Sequence, residues 1–173
     1  MSRYLIFITF FLFIGFSVVA QKAPLSSVNK KALSFYQAGV NNSRRFQYNE
    51  AVENFENAIR KDANFFEAYF ALGSVFKKAK KYNSAIRSFE QGISVVTSQE
   101  KIYKYYALVG ETYFASKEYK KAKGYLRAYL ENNSTLKPDA RKRITLLLRN
   151  SEFAEKAIEN PVEFNPELVS KAV

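Results

Sequence analysis

Cysteine, histidine and tryptophan are all absent from the chain, and its only methionine is the first residue. Without cysteine there is neither a disulfide framework nor a thiolate metal ligand. Without histidine the chain lacks the commonest general base and the commonest metal-binding side chain. The 6 glycines are dispersed, so no glycine-rich loop is available to cradle a phosphate. Asp, Glu, Lys, Ser, Thr and Tyr remain, and no grouping of them points to an active site. Glu50, Glu53 and Glu56 recur at i, i+3 and i+6. That spacing reads as the solvated face of a helix, not as paired carboxylates for acid–base work. The sequence therefore predicts no enzyme, with no catalytic residue, no metal ligand and no cofactor.

Hydrophobic residues make up 47% of the chain and aromatic residues 16%, ample for a packed core and contrary to disorder. The formal charge is +11. The first twenty residues contribute one cation, Arg3, and no acid, which leaves 26 − 16 = +10 for the remainder. Such an excess favours acidic partners or anionic surfaces. Lysine-rich outer faces of a helical protein account for the same charge.

Residues 1–20 read as a secretory signal peptide. Arg3 gives a short positive start, Tyr4 to Phe16 is almost wholly apolar, and Val18-Val19-Ala20 places small residues before a cleavage point ahead of Gln21. The competing reading is an uncleaved anchor, for which the apolar run is at the short limit. With cleavage, no transmembrane segment remains and the protein is exported. Residues 21–27 form a polar lead-in containing Pro24.

From Ala32 to Tyr129 one pattern occurs three times. Gly39, Gly73 and Gly110 are each followed twelve positions later by Ala51, Ala85 and Ala122. Four residues beyond each alanine stands a bulky apolar residue, Phe55, Phe89 or Leu126, and three before it a tyrosine, Tyr48, Tyr82 or Tyr119. The intervals are 73 − 39 = 34 and 110 − 73 = 37. A fixed period in this range marks a repeat array. The three extra residues fall near Ser98 to Lys101, in a loop between units.

Each unit reads as two helices. Ser26 or Ser27, Asn49, Asn83 and Ser98 are the expected caps, and Asn64 with Glu67 reads as a capping box. Residues 28–134 hold the three pairs. A further helix starts at Pro138 within residues 135–159 and carries an apolar stripe of Ala140, Ile144, Leu147, Leu148, Phe153 and Ile158. It is expected to cover the open end of the third unit. Pro161 and Pro166 make residues 160–173 an extended exit.

These units resemble the tetratricopeptide repeat. The matching residues are Phe35, Ala38, Gly39, Tyr48, Ala51, Phe55 and Ala58; then Tyr69, Leu72, Gly73, Phe76, Tyr82, Ala85 and Phe89; then Tyr106, Val109, Gly110, Tyr113, Tyr119, Ala122 and Leu126. The turn proline of the family is replaced by Ala63, Thr97 and Ser134. The resemblance implies an all-α solenoid of three helix pairs plus a C-terminal capping helix, and a groove lined by the first helix of each pair. The expected lining is Tyr36, Val40 and Arg44, then Phe70, Ser74, Lys77 and Lys78, then Lys104, Leu108 and Glu111. This mixture suits an extended, acidic peptide. The family's clamp for C-terminal carboxylates needs Lys and Asn where this chain has Tyr36, Val40, Phe70 and Ser74, so that clamp is not carried over. Lys101-Ile-Tyr-Lys-Tyr-Tyr106 mixes cations and aromatics as nucleic-acid binders do, but an export signal argues against such a partner.

The last helix followed by Asn160-Pro-Val-Glu-Phe-Asn-Pro166 resembles a junction in exported Bacteroidota proteins that join these repeats to a β-propeller and an OmpA-like domain. That resemblance implies a periplasmic or outer-membrane-associated scaffold with a partner in the cell envelope. It also implies that the chain is the front module of a longer protein or a short relative of one. A self-associating or membrane-surface adaptor is the alternative.

Overall fold

The structure, a computed structural model, describes residues 25–161 except residue 97. The expected signal peptide, residues 21–24 of the lead-in and the exit beyond Pro161 lie outside the described residues. Helices α1 (Lys30–Arg44) and α2 (Tyr48–Lys61) form the first hairpin, and α3 (Phe66–Lys78) and α4 (Tyr82–Ser94) the second. The third begins with a single turn, α5 (Gln99–Ile102), and a 3₁₀ turn over Tyr103–Tyr105. These lead into α6 (Tyr106–Ala115), whose partner is α7 (Tyr119–Glu131). Helix α8 (Pro138–Glu159) lies mainly against α7. The fold is the expected all-α solenoid of three pairs and a capping helix.

The repeating glycines explain how each hairpin closes. A Cβ on Gly39 would stand 2.8 Å from the Phe55 ring, and one on Gly110 would stand 2.7 Å from Cγ of Leu126. Gly73 meets Phe89 in the same way. Each glycine thus seats the bulky residue that follows the repeat alanine by four positions. Ala51, Ala85 and Ala122 are fully buried, and Phe55, Phe89 and Leu126 are nearly or fully so. Burying a Phe or Leu side chain stabilises by about 1.5–3 kcal/mol, so these six positions carry much of each hairpin's stability.

The turns inside the hairpins repeat as well. Phe46, Lys80 and Lys117 have φ of 63°, 58° and 67°. Their intervals, 80 − 46 = 34 and 117 − 80 = 37, match those of the glycines. Each ends a helix in the left-handed conformation that glycine usually supplies. Bonds from Gln47 N to Asn42 O (3.0 Å), Lys81 N to Phe76 O (2.9 Å) and Glu118 N to Tyr113 O (2.9 Å) close each turn.

The expected caps are corrected. Asn29, not Ser26 or Ser27, caps α1, accepting from Lys31 N and Ala32 N. Helices α2 and α4 begin one residue before Asn49 and Asn83, at Tyr48 and Tyr82, because the left-handed turn already delivers the chain into helix. Ser98 makes no side-chain cap bond, and the first helix of the third unit is broken at the 3₁₀ turn. Asn64 and Glu67 form no capping box. The Asp62 carboxylate accepts from Asn64 N, and Glu67 turns elsewhere. In α8, Ile144 is buried and Leu147 and Leu148 face α7's side of the core, but Phe153 and Ile158 are 76% and 65% exposed. The stripe is therefore covered only over its first half.

Candidate functional site

The first helices of the pairs, α1, α3 and α6, supply most of the predicted groove residues. Tyr36 of α1 is half-buried, its ring 4.9 Å from Phe65 and 5.7 Å from Phe55. Val40 lies partly buried on the cluster around Phe55 and Leu72, whereas Arg44 is exposed. Ser74 is half-buried and donates to the Phe70 carbonyl, as helical serines commonly do. Lys78 is exposed at the end of α3. Leu108 is partly buried against the central core.

Phe70 is a correction to the expected lining. Only 1% of it is exposed, and its ring stacks on Tyr105 (4.2 Å, 17°) and on Phe89 (5.6 Å, 27°). It is a core residue beneath the face. Lys104 lies in the 3₁₀ turn, not in α6, and its ammonium sits 5.0 Å above the Tyr105 ring.

Tyr105 takes the surface position expected of Phe70. The three extra residues before the third unit shift its first helix, and the 3₁₀ turn that absorbs them tips Tyr105 onto α3. Burial, then the charge of Glu67, then the neighbouring Tyr36 push the Tyr105 phenol up to about 12. Glu67 itself is only 7% exposed. It accepts from the backbone N–H of Ser26 (3.1 Å) and from the Ser26 hydroxyl. The lead-in is thereby fastened across α3. No local sequence pattern connects residues 41 positions apart.

Lys77, Glu111 and Arg143 form a bridge over three helices. Lys77 Nζ lies 2.6 Å from Glu111 Oε2, and Arg143 of α8 holds Oε1 of the same carboxylate. Burial acts to raise the Glu111 carboxyl, but hydrogen bonds and charge from Lys77 and Arg143 outweigh it and hold it below the usual carboxylate range. The arrangement presents two cations around one carboxylate, with Lys78 exposed nearby in sequence. Among the described residues, no cluster of three or more Asp or Glu side chains is disposed to hold a metal ion.

Family models described as TPR repeat and Tetratricopeptide repeat match residues 47–80 and 66–95. Solved structures that share the fold include tetratricopeptide domains. The first such domain of Spaghetti (RPAP3), bound to the HSP90 peptide SRMEEVD, is 20% identical, with 74% of this chain and 95% of that chain covered and a TM-score of 0.64. The Sgt2 domain from Aspergillus fumigatus is 18% identical, with 87% and 96% covered and a TM-score of 0.65. The Yersinia enterocolitica secretion chaperone SycD, in complex with a peptide of the translocator YopD, is 18% identical, with 71% and 93% covered and a TM-score of 0.62. No curated protein matches the chain in sequence. Helical hairpins stacked in register define an α-solenoid. Within that class, residues 47–95 match tetratricopeptide-repeat models, and the chain has the all-α tetratricopeptide-repeat solenoid fold.

Proposed function

We propose that the protein is a non-enzymatic interaction scaffold that binds an extended acidic segment of a protein partner along the face of α1, α3 and α6. The observation that carries the reading is the Lys77–Glu111–Arg143 bridge. Its two cations already hold a carboxylate on that face, and a partner's acidic side chain can take the place of Glu111. Tyr36 and Val40 of α1 and Leu108 of α6, each partly exposed, would supply the apolar contacts. Two of the similar structures carry bound peptides, which supports a peptide as the class of ligand. The absence of histidine and cysteine supports a role without catalysis.

The place of action in this proposal is the cell envelope, reached by cleavage after Ala20. The support is the apolar N-terminal segment and the resemblance of residues 160–166 to the junction of envelope scaffolds. No helix among the described residues is long and apolar enough to cross a membrane. Cell fractionation with N-terminal sequencing tests this part: an envelope protein beginning at Gln21 agrees, and a cytoplasmic protein retaining Met1 contradicts it.

The binding part is tested with a fluorescein-labelled acidic peptide and its Gln/Asn counterpart. The acidic peptide is expected to bind in a salt-sensitive way, and Lys77→Glu combined with Arg143→Glu to abolish binding. Equal binding of both peptides would contradict the reading. A membrane-surface role is favoured by one feature, the exposed Leu146 and Phe153 of α8 beside Arg149. Co-sedimentation with anionic vesicles that is lost in Phe153→Glu would support it.

A further inference from the structure

The proposed groove does not involve the cleft between α4 and α7. We propose that this cleft is a second binding site, which receives the guanidinium of an arginine presented by a partner polypeptide.

The cleft has a volume of about 390 Å³ and is lined by Glu90, Tyr106, Tyr113, Lys121, Gly124 and Tyr125. Tyr113 of α6 reaches between the two helices. Its hydroxyl donates to Glu90 of α4, and its ring stacks on Tyr125 of α7 at 5.4 Å and 10°. Tyr106 stands edge-on to Tyr125, 5.1 Å away at 82°. Tyrosine π-faces attract cations, and a planar guanidinium stacks on them better than an ammonium does. Glu90 adds a carboxylate, which has acceptor sites left after the bond from Tyr113.

The protein's own Lys121 shows the chemistry. Its ammonium lies 5.1 Å over the Tyr113 ring and 3.0 Å from Glu118. Lys121 and Glu118 are 55% and 41% exposed, and an exposed pair of this kind is held weakly. A better cation displaces it at little cost. The charged lining of the cleft, Glu90 and Lys121, is balanced on a chain whose total is +11, and Glu118 pairs with Lys121 from outside the lining. Gly124 makes the room. A Cβ there would meet nothing within 4 Å, so this glycine, unlike Gly39 or Gly110, seats no neighbour. A helix-interior glycine without a neighbour to seat is unfavourable relative to alanine. Here it leaves the cleft open beside the partly exposed Tyr106 and Tyr125, with Tyr113 buried beneath Lys121.

The test is a titration of acetyl-arginine-amide into the ¹⁵N-labelled protein, followed at the amides of Gly124 and Tyr125. Saturable shifts are expected, with none from acetyl-citrulline-amide, which has the same shape without the charge. Glu90→Gln keeps an acceptor for Tyr113 and should weaken the response about tenfold, as expected for the loss of one charged partner. Gly124→Leu should fill the cleft and abolish the response without lowering the melting temperature. No saturable shift with arginine, an equal response to citrulline, or an unchanged response in Gly124→Leu would overturn the proposal.

Discussion

Lys77 of α3 and Glu111 of α6 meet at 2.6 Å, joining the second helical pair to the third. Arg143 approaches the same carboxylate from α8, so one acidic side chain ties the capping helix to the repeat array. Removing it leaves two cations facing each other. Glu111→Gln should therefore destabilise the protein by about 1 kcal/mol, the upper end for partly exposed pairs. Denaturant titration at pH 7 measures this.

The same carboxylate has a pH signature. Its folded-state pKa lies below the ordinary carboxylate value. The stabilisation it provides is therefore complete above the unfolded-state pKa and is lost as pH falls through the folded one. Stability of the wild type should decline on acidification below the ordinary carboxylate range more steeply than that of Glu111→Gln. Parallel acid limbs in the two proteins would show that Glu111 is not coupled to folding.

Tyr105 supplies the alkaline counterpart. Its phenol is raised to about 12, so its contribution is complete below the unfolded value of 10.0 and is lost as pH rises through about 12. Tyr105→Phe should flatten the loss of stability across that window. Urea midpoints measured across the alkaline range decide it.

Glycines at different positions should respond with opposite signs. Gly110→Ala places a methyl group against Leu126 and should cost about 1–3 kcal/mol, the range for overpacking. Gly124→Ala meets nothing and should gain up to about 1 kcal/mol from helix propensity. Phe89→Ala empties the space over Gly73 and should cost about 3–5 kcal/mol. Thermal melts of the three variants rank them.

Lys80 and Lys117 hold a left-handed conformation that costs a side-chain-bearing residue about 1–2 kcal/mol. Replacing either with glycine should raise the melting temperature, provided the lysine makes no compensating contact. Lys117→Gly is a clean case, because Lys117 is exposed and backbone bonds close the turn.

The fold was legible because its periodic residues do the same job in every unit. Gly39, Gly73 and Gly110 each seat a bulky residue from the partner helix, and the sequence repeats wherever the contact does. The caps were not legible. Left-handed turns at Phe46, Lys80 and Lys117 start the second helices, and none of these residues carries the glycine signal that marks such a turn. The site was legible in part. Lys77 and Glu111 stood among the expected lining, but Arg143 comes from a helix outside the repeats. Tyr105 depends on how the 3₁₀ turn absorbs an insertion, and Glu67 on a segment 41 residues away. Neither dependence leaves a local pattern. Phe70 was misplaced because position in a repeat fixes the direction of a side chain, while Tyr105 decides whether anything lies above it.

The central claim is that the α1–α3–α6 face receives an extended acidic peptide. The most direct measurement places a photo-crosslinking amino acid at Ser74 or Lys78 on α3, or at exposed Arg87 on α4, with the labelled acidic peptide present. Crosslinks from positions 74 and 78, absent from position 87 and suppressed by salt, are the predicted result. Crosslinks from position 87 alone would contradict the account.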